Sequence, residues 1–585
     1  AGLGLMMNVP GDAKPLPYVE DTAVAPEVLP EFVKRFDQIV QDHDTEAGYY
    51  GHASVGCLHI RPLVNLKRQD GVDKMVSIAN EISDLVLEFG GSMSGEHGDG
   101  LVRSGFNEKM FGGQLYDAFR RVKRAFDPNG IMNPGKIVDS SPMTQSLRIS
   151  PSYQTASVPT GFSYSQEGSF AHAIEMCNGQ GACRKVLEGT MCPSYMVTRD
   201  EEHSTRGRAN ALRAAMSGAL PTGALTSDRM HQVMDLCLEC KGCAAECPSN
   251  VDMAKLKYEF LDMYHTERGY TVRDQIFGNI GMLSRWGSFL APMSNWASKL
   301  GVVREMMDKG LGIDSRRRLP EFASQTFVQW FRSRGESSTS TAVRGQVVLF
   351  ADTFTNYNHP ELGRAAVKVL EALGYQVIVP KVGCCGRPML SKGMMDKARI
   401  NARANVDAVY PYIKMGARLI GLEPSCILGF RDDYLDLLGD GDDKVHLVAQ
   451  NTMLVEQFVQ HAIEMEGAVL ELARFNLPEK ILLHGHCHQK ALIGTDIAMD
   501  VLNTIKGCET VELNSGCCGM AGAFGFESEH YDMSMKIGEQ ALFPAIREYD
   551  GDFAVVAEGV SCRQQIEHGT GKRAMHLVEA LAAAL

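Results

Sequence analysis

Cys237-Leu-Glu-Cys240-Lys-Gly-Cys243-Ala-Ala-Glu-Cys247-Pro248 is the stretch that decides the fold of this chain. Its cysteines follow the C-x2-C-x2-C-x3-C-P spacing of a bacterial-type iron–sulfur site, in which the fourth cysteine ligates the other cluster of a two-cluster protein. Thiolates suit iron, and the short spacing allows three sulfurs from one turn to bind one cube. The alternative is structural zinc, but such sites usually take two separated cysteine pairs. The stretch therefore predicts a 4Fe-4S cluster.

A second group of cysteines precedes this motif. Cys177 and Cys183 stand six residues apart, as the first and third cysteines of the same run would, with Gln180 at the second position. Cys192-Pro193 supplies the closing Cys-Pro pair. Exchanging the closing cysteines between the two halves predicts one complete cluster, on Cys192, Cys237, Cys240 and Cys243. The remainder, Cys177, Cys183 and Cys247, predicts a second cluster that is either three-iron or completed by an unidentified ligand.

Length and composition limit the class of protein. A chain of 585 residues should fold as several domains, and its net charge of −13 argues against a nucleic-acid partner. It contains no run of about 18 apolar residues and no visible signal peptide. The start, Ala-Gly-Leu-Gly-Leu, indicates a fragment or a processed product. Sixteen cysteines without an export signal favour metal binding in a reducing compartment, so we expect a cytoplasmic protein.

The first of two N-terminal segments with metal-binding residues reads Gly51-His52-Ala-Ser-Val-Gly-Cys-Leu-His59. Two histidines seven residues apart cannot share a metal on a straight strand. A two-residue turn at Val55-Gly56 would place His52 directly opposite His59, close enough for both to chelate. The alternative is an ordinary hairpin that carries two polar residues.

The second segment, Gly95-Glu96-His97-Gly98-Asp99-Gly100, follows a helix predicted at about 73–90. Its glycines allow the backbone to approach a ligand closely. Glu96 can complete a His-His-carboxylate metal set with open positions, which leaves His97 free to act as a general base. The alternative is a charged turn.

Together these segments resemble the C-terminal substrate domain of flavin-linked D-2-hydroxyacid dehydrogenases. The resemblance implies a divalent metal, Zn or Mn, on His52, His59 and Glu96, with His97 as the catalytic base. It also implies flavin contact at Asn133, Gly135 and Lys136, within Asn133-Pro-Gly-Lys136. The sequence departs from the family at Val55 and Cys57, where the family has Asp and Asn. FAD itself needs a binding domain, which we expect upstream of Ala1.

The middle of the chain separates into linkers and helices. Residues 139–169 and Ser337–Thr341 are rich in Ser, Thr or Pro and predict linkers. Arg206 and Arg208 lie at the start of a predicted helix between the two cysteine groups. Their side chains contact either a cluster or a partner, or they lie in solvent. The pattern from about 254 to 332 is helical. Its large apolar residues predict either helix packing, which is the commoner case, or docking on a membrane surface; they are Phe277, Met282, Trp286, Phe289 and Trp296.

The C-terminal region is duplicated. The segment Val347-Val-Leu-Phe corresponds to Ile481-Leu-Leu-His in the second unit. The Cys384-Cys-Gly and Pro424-Ser-Cys426 motifs recur at offsets of 133 and 136 residues. Each unit alternates strand with helix, which predicts α/β layers. The double Cys-Cys-Gly repeat resembles heterodisulfide reductase, the glycolate oxidase iron–sulfur subunit and the corresponding subunit of anaerobic glycerol-3-phosphate dehydrogenase.

The two repeats differ in their candidate ligands. In the first, Thr353 stands where the second has Cys487, so we expect a structural or vestigial site at Cys384, Cys385 and Cys426. The second predicts a metal cluster on four thiolates: Cys487, Cys517, Cys518 and Cys562. His484, His486 and His488 are further ligand candidates, or residues with ordinary polar contacts.

The sequence thus predicts a multidomain protein. It comprises an α+β flavin-linked oxidase C-terminal domain (1–138), a linker (139–169), a small helical ferredoxin-type domain (170–270), a helical connector and linker (271–345) and a duplicated α/β Cys-Cys-Gly domain (346–475 and 476–585). The resemblance implies oxidation of a D-2-hydroxy acid, D-lactate or D-2-hydroxyglutarate, to the 2-oxo acid. Electrons would pass through 4Fe-4S to a quinone, cytochrome or carrier protein, with peripheral contact at the inner face of the membrane. The alternatives are a non-catalytic iron–sulfur relay protein and, more remotely, heterodisulfide chemistry.

Overall fold

The computed structural model describes residues 8–186, 188–335, 344–439 and 441–585. The predicted linker Ser337–Thr341 lies outside the described residues. The chain divides into two compact units. The first comprises the residues up to Ser157 with Gln166–His172, and the second comprises Val158–Ser165 with Ala173–Leu585. Two of the three boundaries fall within the segment 139–169, which contains neither helix nor strand, and the third falls within the helix Phe170–Glu175.

The first unit is an antiparallel sheet covered by helices, the α+β fold expected of this region. Strand β4 pairs with β1, β2 and β3. The strands are β1 (Lys14–Pro15), β2 (Thr22–Ala23), β3 (Ala47–His52) and β4 (Cys57–Val64). The helices are α1 (Leu29–Asp42), α2 (Gln69–Glu88), α3 (Gly100–Arg103) and α4 (Asn107–Phe126), with 3-10 turns at Pro26–Val28, Ala53–Val55 and Ser104–Phe106.

Helix periodicity explains the core of the first unit. Phe32, Phe36 and Val40 recur every four residues on α1 and are fully buried, which is the spacing that aligns side chains on one helical face. They belong to one apolar cluster with Ile60 of β4 and Ile78 of α2. This cluster fixes α1 and α2 to the sheet, and so fixes β4, which carries His59.

The hairpin prediction was wrong in its register. The turn contains four residues, with a 3-10 turn at Ala53–Val55 and Gly56 at φ 69°. Consequently His52 pairs with Cys57, and His59 pairs with Tyr50 rather than with His52. The shift is two residues along β4, and side chains alternate with a period of two. His52 and His59 therefore still share one face of the sheet, diagonally rather than directly opposed.

The second unit begins with short helices around the cysteine motifs and continues with a helical connector. Asp252 caps the long helix after Cys247 by accepting hydrogen bonds from the backbone N–H groups of Ala254 and Lys255. The helices are α5 (Phe170–Glu175), α6 (Pro193–Thr198), α7 (Thr205–Met216), α8 (Asp228–Asp235), α9 (Gly242–Glu246), α10 (Met253–Arg268), α11 (Val272–Gly278), α12 (Ile280–Phe289), α13 (Ala291–Lys299), α14 (Gly301–Leu311) and α15 (Phe327–Ser333), with 3-10 turns at Ala182–Arg184, Glu201–His203 and Ala224–Thr226.

Most of the large apolar residues of the connector lie on its surface. Trp286, Phe289 and Trp296 are 60%, 79% and 66% exposed, and Met282 is exposed as well. The packing interpretation was therefore wrong for these four residues and holds for Phe277, which packs against a buried cluster of the second repeat. No helix among the described residues combines the length and apolar character that a membrane span requires.

The C-terminal region contains two parallel sheets with the same strand order. The first runs β6-β5-β7-β8 and the second β10-β9-β11-β12, so both follow the order 2-1-3-4. The strands are β5 (Gly345–Leu349), β6 (Tyr375–Ile378), β7 (Arg418–Gly421), β8 (Thr452–Leu454), β9 (Lys480–His484), β10 (Glu509–Glu512), β11 (Phe553–Ala557) and β12 (Ala574–Met575). This confirms the α/β duplication.

Helices cover both sheets, and the two repeats share one core. Val347 and Leu349 of β5 belong to the same buried cluster as Ile481 and Leu483 of β9. The helices are α16 (Thr353–Tyr357), α17 (Pro360–Ala372), α18 (Arg387–Leu390), α19 (Met395–Lys414), α20 (Pro424–Ile427), α21 (Asp433–Leu438), α22 (Asp443–Gln450), α23 (Val455–Glu464), α24 (Cys487–Leu492), α25 (Asp496–Asn503), α26 (Tyr531–Gln540), α27 (Leu542–Arg547), α28 (Val560–Thr570) and α29 (Leu577–Ala584), with 3-10 turns at Leu428–Phe430 and Phe524–Phe526.

Candidate metal and iron–sulfur sites

The two histidine segments of the first unit meet at one carboxylate. Glu96 Oε1 lies 2.9 Å from His59 Nε2, 3.4 Å from His52 Nε2 and 3.5 Å from His97 Nε2. The rings of His59 and His97 stack with centroids 4.5 Å apart. Two imidazoles and a carboxylate form a donor set that divalent Zn or Mn accepts. The four residues predicted from the sequence are therefore neighbours in the fold.

Two carboxylates that sequence reasoning missed hold this site together. Asp21 accepts hydrogen bonds from the backbone N–H groups of Glu96 and His97 and from the Ser94 hydroxyl, at 3.1, 2.8 and 2.7 Å. Burial raises the pKa of Asp21, but these hydrogen bonds outweigh it and lower the pKa overall. Asp21 therefore stays ionised and fixes the backbone of the Glu96-His97 loop.

The second missed carboxylate, Glu20, contacts the predicted base. Glu20 Oε1 lies 3.2 Å from His97 Nδ1, and its other oxygen accepts a hydrogen bond from Arg61. Ligand atoms of Glu20, His59 and His97 lie within 4.8 Å of one another, so Glu20 is a further possible metal ligand. The sequence carries no local signal for this role, because about 77 residues separate Glu20 from His97.

Cys57, which replaces a family asparagine, lies beneath the glycine-rich loop. It is buried, and burial together with Asp21 raises the pKa of its thiol to about 11. A Cβ at Gly95 would lie 2.9 Å from Cys57 Sγ, so the loop needs glycine at that position to pass over the thiol. Ligand atoms of Cys57, Asp21, His59 and Glu96 lie within 4.8 Å of one another, so Cys57 is also a possible metal ligand.

The predicted flavin-contact loop follows α4, and Asn107 of α4 donates a hydrogen bond to the Ile137 carbonyl oxygen at its end. Asn133 and Gly135 have φ angles of 51° and 72°, and Lys136 Nζ donates a hydrogen bond to Asn133 Oδ1. Helix α4 and the segment that precedes this loop carry exposed apolar side chains; they are Phe111, Leu115, Val122, Phe126, Ile131 and Met132. Such a patch marks an interaction surface.

In the second unit, four cysteines line one small cavity: Cys192, Cys237, Cys240 and Cys243. These are the four that the sequence assigns to one cluster. Arg208, fully buried beside them, donates hydrogen bonds to Ser194 Oγ and to the carbonyl oxygens of His203 and Val233, so it is not a solvated helix residue. All sixteen cysteines lie in the described residues, and none forms a disulfide. A group of close, reduced thiols fits an iron–sulfur cluster.

Helix N-termini point towards these sulfurs. The backbone N–H of Thr205, the first residue of α7, donates to Cys192 Sγ at 3.2 Å, and that of Met253, the first residue of α10, donates to Cys243 Sγ at 3.3 Å. The N-terminus of a helix carries partial positive charge. Burial raises the pKa of the Cys192 thiol to about 12, because the surroundings disfavour the thiolate when no cation is bound.

Of the remaining cysteines of this region, Cys183 accepts a hydrogen bond from the Arg206 backbone N–H at 3.3 Å. The Arg206 side chain pairs with Glu201 and donates to the Gly179 carbonyl oxygen. Cys183 and Cys247 are close enough to interact electrostatically, and Cys177 and Cys183 both act on Arg206. The three cysteines of the second predicted group, Cys177, Cys183 and Cys247, therefore also lie in one region of the fold.

Both repeats hold the Cys237–Cys243 loop in place. Arg387 of the first repeat and His488 of the second both contact the Glu239 carbonyl oxygen, at 3.2 and 3.0 Å. Lys241 stands between Cys240 and Cys243 in the sequence, and its side chain is fully buried. It pairs with Asp433 at 2.7 Å and with Asp432. The Nε2 atom of His488 is therefore used by its contact with the Glu239 carbonyl oxygen.

The ligand candidates of the second repeat follow the carboxyl ends of its strands. Cys487 begins the helix after β9, Cys517 and Cys518 follow β10, and Cys562 follows β11. Atoms of His484, Cys518 and Cys562 lie within 4.8 Å of one another. The neighbouring thiols of Cys517 and Cys562 lower the pKa of Cys518, which favours a metal-binding thiolate. His486 instead accepts a hydrogen bond from the His488 backbone N–H.

In the first repeat, Cys385 and Cys426 contact each other, with their sulfurs 3.0 Å apart. Asn405 and Tyr434 donate hydrogen bonds to the carbonyl oxygens of Cys384 and Cys385. The three cysteines of this repeat form none of the metal-binding groups found among the described residues.

Comparisons with known proteins agree with this division of the chain. Residues 2–137 match the family described as FAD linked oxidases, C-terminal domain. Residues 176–252 match a 4Fe-4S dicluster domain, and residues 350–431 and 481–567 each match a cysteine-rich domain. The matching domains are thus those of flavin and iron–sulfur proteins.

Three relatives cover different parts of the chain. D-2-hydroxyglutarate dehydrogenase of Haemophilus influenzae is 28% identical over 99% of this chain, which spans 60% of that relative. An anaerobic glycerol-3-phosphate dehydrogenase subunit of Escherichia coli is 34% identical over 58% of this chain and 83% of its own length. A probable glycolate oxidase iron–sulfur subunit of Bacillus subtilis is 23% identical over 67% of this chain and 90% of its own length.

Proposed function

Since this chain belongs to the family of iron–sulfur proteins that includes the anaerobic glycerol-3-phosphate dehydrogenase subunit, joined to an FAD-linked oxidase C-terminal domain, we propose that it is part of a dehydrogenase. It oxidises a D-2-hydroxy acid to the 2-oxo acid with FAD and iron–sulfur clusters. The observation that carries this proposal is the convergence of His52, His59 and His97 on Glu96, in a region matched to flavin-linked oxidases. A pure relay has no use for such a site.

In this proposal His52, His59 and Glu96 hold a divalent metal, Zn or Mn, and His97 is the base. A bound metal would polarise the substrate hydroxyl and lower its pKa. The contact of His97 Nδ1 with Glu20 favours the tautomer that has its proton on Nδ1. The Nε2 lone pair of His97 is then available to accept the hydroxyl proton. Asp21 keeps the loop in this geometry.

The 2-hydroxy acid that we favour is D-2-hydroxyglutarate, with D-lactate second. Dehydrogenases named for D-2-hydroxyglutarate from four bacteria match 99% of this chain at 26–28% identity. They are longer, and the chain spans about 60% of their length. This difference leaves room for the FAD-binding domain that the resemblance implies. We propose that this domain covers the exposed apolar face of α4 and the Asn133–Lys136 loop, and that Asn133, Gly135 and Lys136 contact the flavin.

The cysteine sets are proposed to hold the iron. Cys192, Cys237, Cys240 and Cys243 hold one 4Fe-4S cluster; Cys177, Cys183 and Cys247 contribute to a second; and Cys487, Cys517, Cys518 and Cys562 hold a third metal centre. Bound clusters would carry single electrons away from a flavin that accepts two. The chain's own contribution is to hold the Cys237–Cys243 loop against both repeats and to supply N–H donors to the sulfurs.

We further propose that the connector helices rest on a membrane surface. Helices α12 and α13 expose Met282, Trp286, Phe289, Met293 and Trp296. Tryptophan and other large apolar residues favour the interfacial region of a bilayer. Residues 280–318 contain seven basic and three acidic residues in a chain of net charge −13. This local charge suits an anionic leaflet.

His97→Gln in the full-length protein tests the proposed base. Flavin reduction by D-2-hydroxyglutarate should fall by about 10²–10⁴-fold, the usual contribution of a general base, while the iron–sulfur absorbance stays. His43→Gln is the matched control, because His43 pairs with Glu81 at the surface of the same unit, outside the site. Undiminished flavin reduction in His97→Gln would contradict the assignment.

The second candidate is a non-catalytic electron-transfer protein, which the 34% identity to the glycerol-3-phosphate dehydrogenase subunit favours. Zinc and manganese analysis separates the two candidates. A dehydrogenase should contain a second metal besides iron, and Glu96→Gln should remove it without loss of iron. Iron alone in the purified wild-type protein would favour the relay.

A further inference from the structure

Arg208 carries a positive charge in the interior of the second unit. It is 1% exposed and lines the small cavity of the four cysteines assigned to the complete cluster. A guanidinium keeps its charge in proteins. Its three hydrogen bonds go to neutral acceptors, the Ser194 hydroxyl at 3.1 Å and the carbonyl oxygens of His203 and Val233 at 2.7 and 3.1 Å. In the part of the chain that the structure describes, no carboxylate pairs with this guanidinium.

The other charged residues that line this cavity have ion-pair partners. Glu239 lies 3.2 Å from Lys257, and Lys241 lies 2.7 Å from Asp433. A buried charge without a counter-charge strongly destabilises a fold. The surroundings of Arg208 therefore favour the binding of a negatively charged group in this cavity.

Helix α7 directs Arg208 towards the cysteines. Thr205, the first residue of α7, donates its backbone N–H to Cys192 Sγ at 3.2 Å. Arg208 follows three residues later, and residues three apart lie on the same side of a helix. Val233, which accepts a hydrogen bond from Arg208 Nε, precedes Cys237 by four residues. The guanidinium therefore lies where the segments that carry two of the proposed ligands meet.

A 4Fe-4S cluster bound by four thiolates is an anion, and its reduction adds one more negative charge. The attraction between the cluster and a nearby cation grows with that charge, and it is strong where water is excluded. A buried guanidinium would therefore stabilise the reduced cluster more than the oxidised one. Net charge is among the factors that set the reduction potential of such a cluster.

We propose that Arg208 is the counter-charge of the cluster on Cys192, Cys237, Cys240 and Cys243, and that it raises the reduction potential of this cluster. The inference rests on the proposed function, which places the cluster on these four cysteines and supplies its electron from the flavin. Reduction adds one electron to the cluster and moves no proton, because the guanidinium stays charged in both states. Arg208 contacts no substrate and acts through the cluster.

A redox titration of the full-length holoprotein, followed by electron paramagnetic resonance, measures this potential; the signal of the cluster is the one that Cys243→Ser removes. Arg208→Gln keeps N–H donors but no charge. It should lower the equilibrium constant for one-electron reduction of the cluster about tenfold or more, which is a potential about 59 mV more negative. Arg208→Lys keeps the charge and should stay within about threefold of the wild type on the same scale. Arg229→Gln, an exposed pair with Glu202, is the control and should leave the potential unchanged.

An unchanged potential in Arg208→Gln, or equal shifts in Arg208→Gln and Arg208→Lys, would overturn the proposal. If Arg208→Gln binds no cluster, Ser194→Asp decides: it places a carboxylate beside the guanidinium and should also lower the potential, and an unchanged potential there overturns the proposal. Flavin reduction by the hydroxy acid, measured separately in the wild type, distinguishes this inference from the proposed function. If flavin reduction fails while the potential follows the charge of Arg208, the proposed dehydrogenase is wrong and the counter-charge stands.

Discussion

The two cysteine-rich repeats share a strand order but use the ends of their strands differently. In the second repeat, Cys487, Cys517, Cys518 and Cys562 follow three neighbouring strands, and His484 joins two of them. In the first repeat Thr353 stands at the position of Cys487. Two of its remaining thiols, those of Cys385 and Cys426, contact each other. Among the described residues, the second repeat thus brings together a candidate metal-binding group, His484, Cys518 and Cys562, and the first repeat does not.

The first repeat instead supplies charge to the ferredoxin-type loop. Asp432 and Asp433 pair with Lys241, and Arg387 contacts Glu239. The second repeat contacts this region through titratable histidines, His488 at the Glu239 carbonyl oxygen and His530 at Asp235. Both repeats therefore contact this region, whereas the candidate thiolate set of the second repeat has only a partial counterpart in the first.

The largest expected difference between the repeats is in metal content. Cys518→Ser should remove the metal centre of the second repeat, a loss of up to about four irons per chain. Cys385→Ser should leave iron unchanged. Iron and acid-labile sulfide measured in anaerobically purified protein check both results, and Cys508→Ser, outside every ligand set, is the control. Equal iron loss from the two variants would remove the distinction between the repeats.

The next effect concerns the contact made by the first repeat. Lys241→Met would leave the buried Asp433 without its salt-bridge partner and Asp432 with Lys255 alone, which costs about 3–5 kcal/mol of unfolding free energy. The control is Lys309→Met, an exposed pair with Glu305 whose loss should cost less than about 0.5 kcal/mol. Denaturant unfolding followed by iron–sulfur absorbance measures both. Similar midpoints for Lys241→Met and the wild type would show that Asp432 and Asp433 do not need Lys241.

The smallest effect concerns the second repeat and depends on pH. Burial lowers the pKa of His530, but Asp235 and Glu527 outweigh it and raise the pKa to about 9. A pKa raised above the unfolded value of about 6.5 gives stability that is fully present below pH 6.5 and lost as pH rises through about 9. The contribution is on the order of 3 kcal/mol.

Melting temperatures of the wild type and His530→Gln at several pH values measure this contribution. The wild type should exceed the variant most at or below pH 6.5, and the difference should shrink above pH 9. The difference between the wild type and Lys241→Met should stay constant over the same range, since the lysine remains charged. A pH-independent effect of His530→Gln would mean that its charge plays no part.

Local patterns made much of the fold predictable. The spacing of Cys237, Cys240 and Cys243 and the 133–136-residue offsets of the repeats are short or periodic signals, and they identified the ferredoxin-type region and the duplicated sheets. The neighbourhood of His52, His59, Glu96 and His97 was also predictable, although through a hairpin of the wrong register. An error of two residues preserved the face because side chains alternate along a strand.

The features that escaped prediction depend on contacts between distant segments. Glu20 and Asp21 reach the histidine site only through the folded chain, and about 190 residues separate Lys241 from Asp432. The sequence also could not predict that Arg208 is buried and Trp286 exposed. Amphipathic periodicity identifies the apolar face of a helix but does not show which other part of the protein covers that face.

Anaerobic mixing of the full-length protein with D-2-hydroxyglutarate tests most directly whether the histidine site feeds electrons to the cysteine-bound centres. We predict that flavin absorbance falls first and iron–sulfur absorbance follows, and that in Cys243→Ser only the flavin responds fully. The account would be contradicted if the flavin and the clusters of the wild-type protein stayed oxidised with the hydroxy acid while dithionite bleached both.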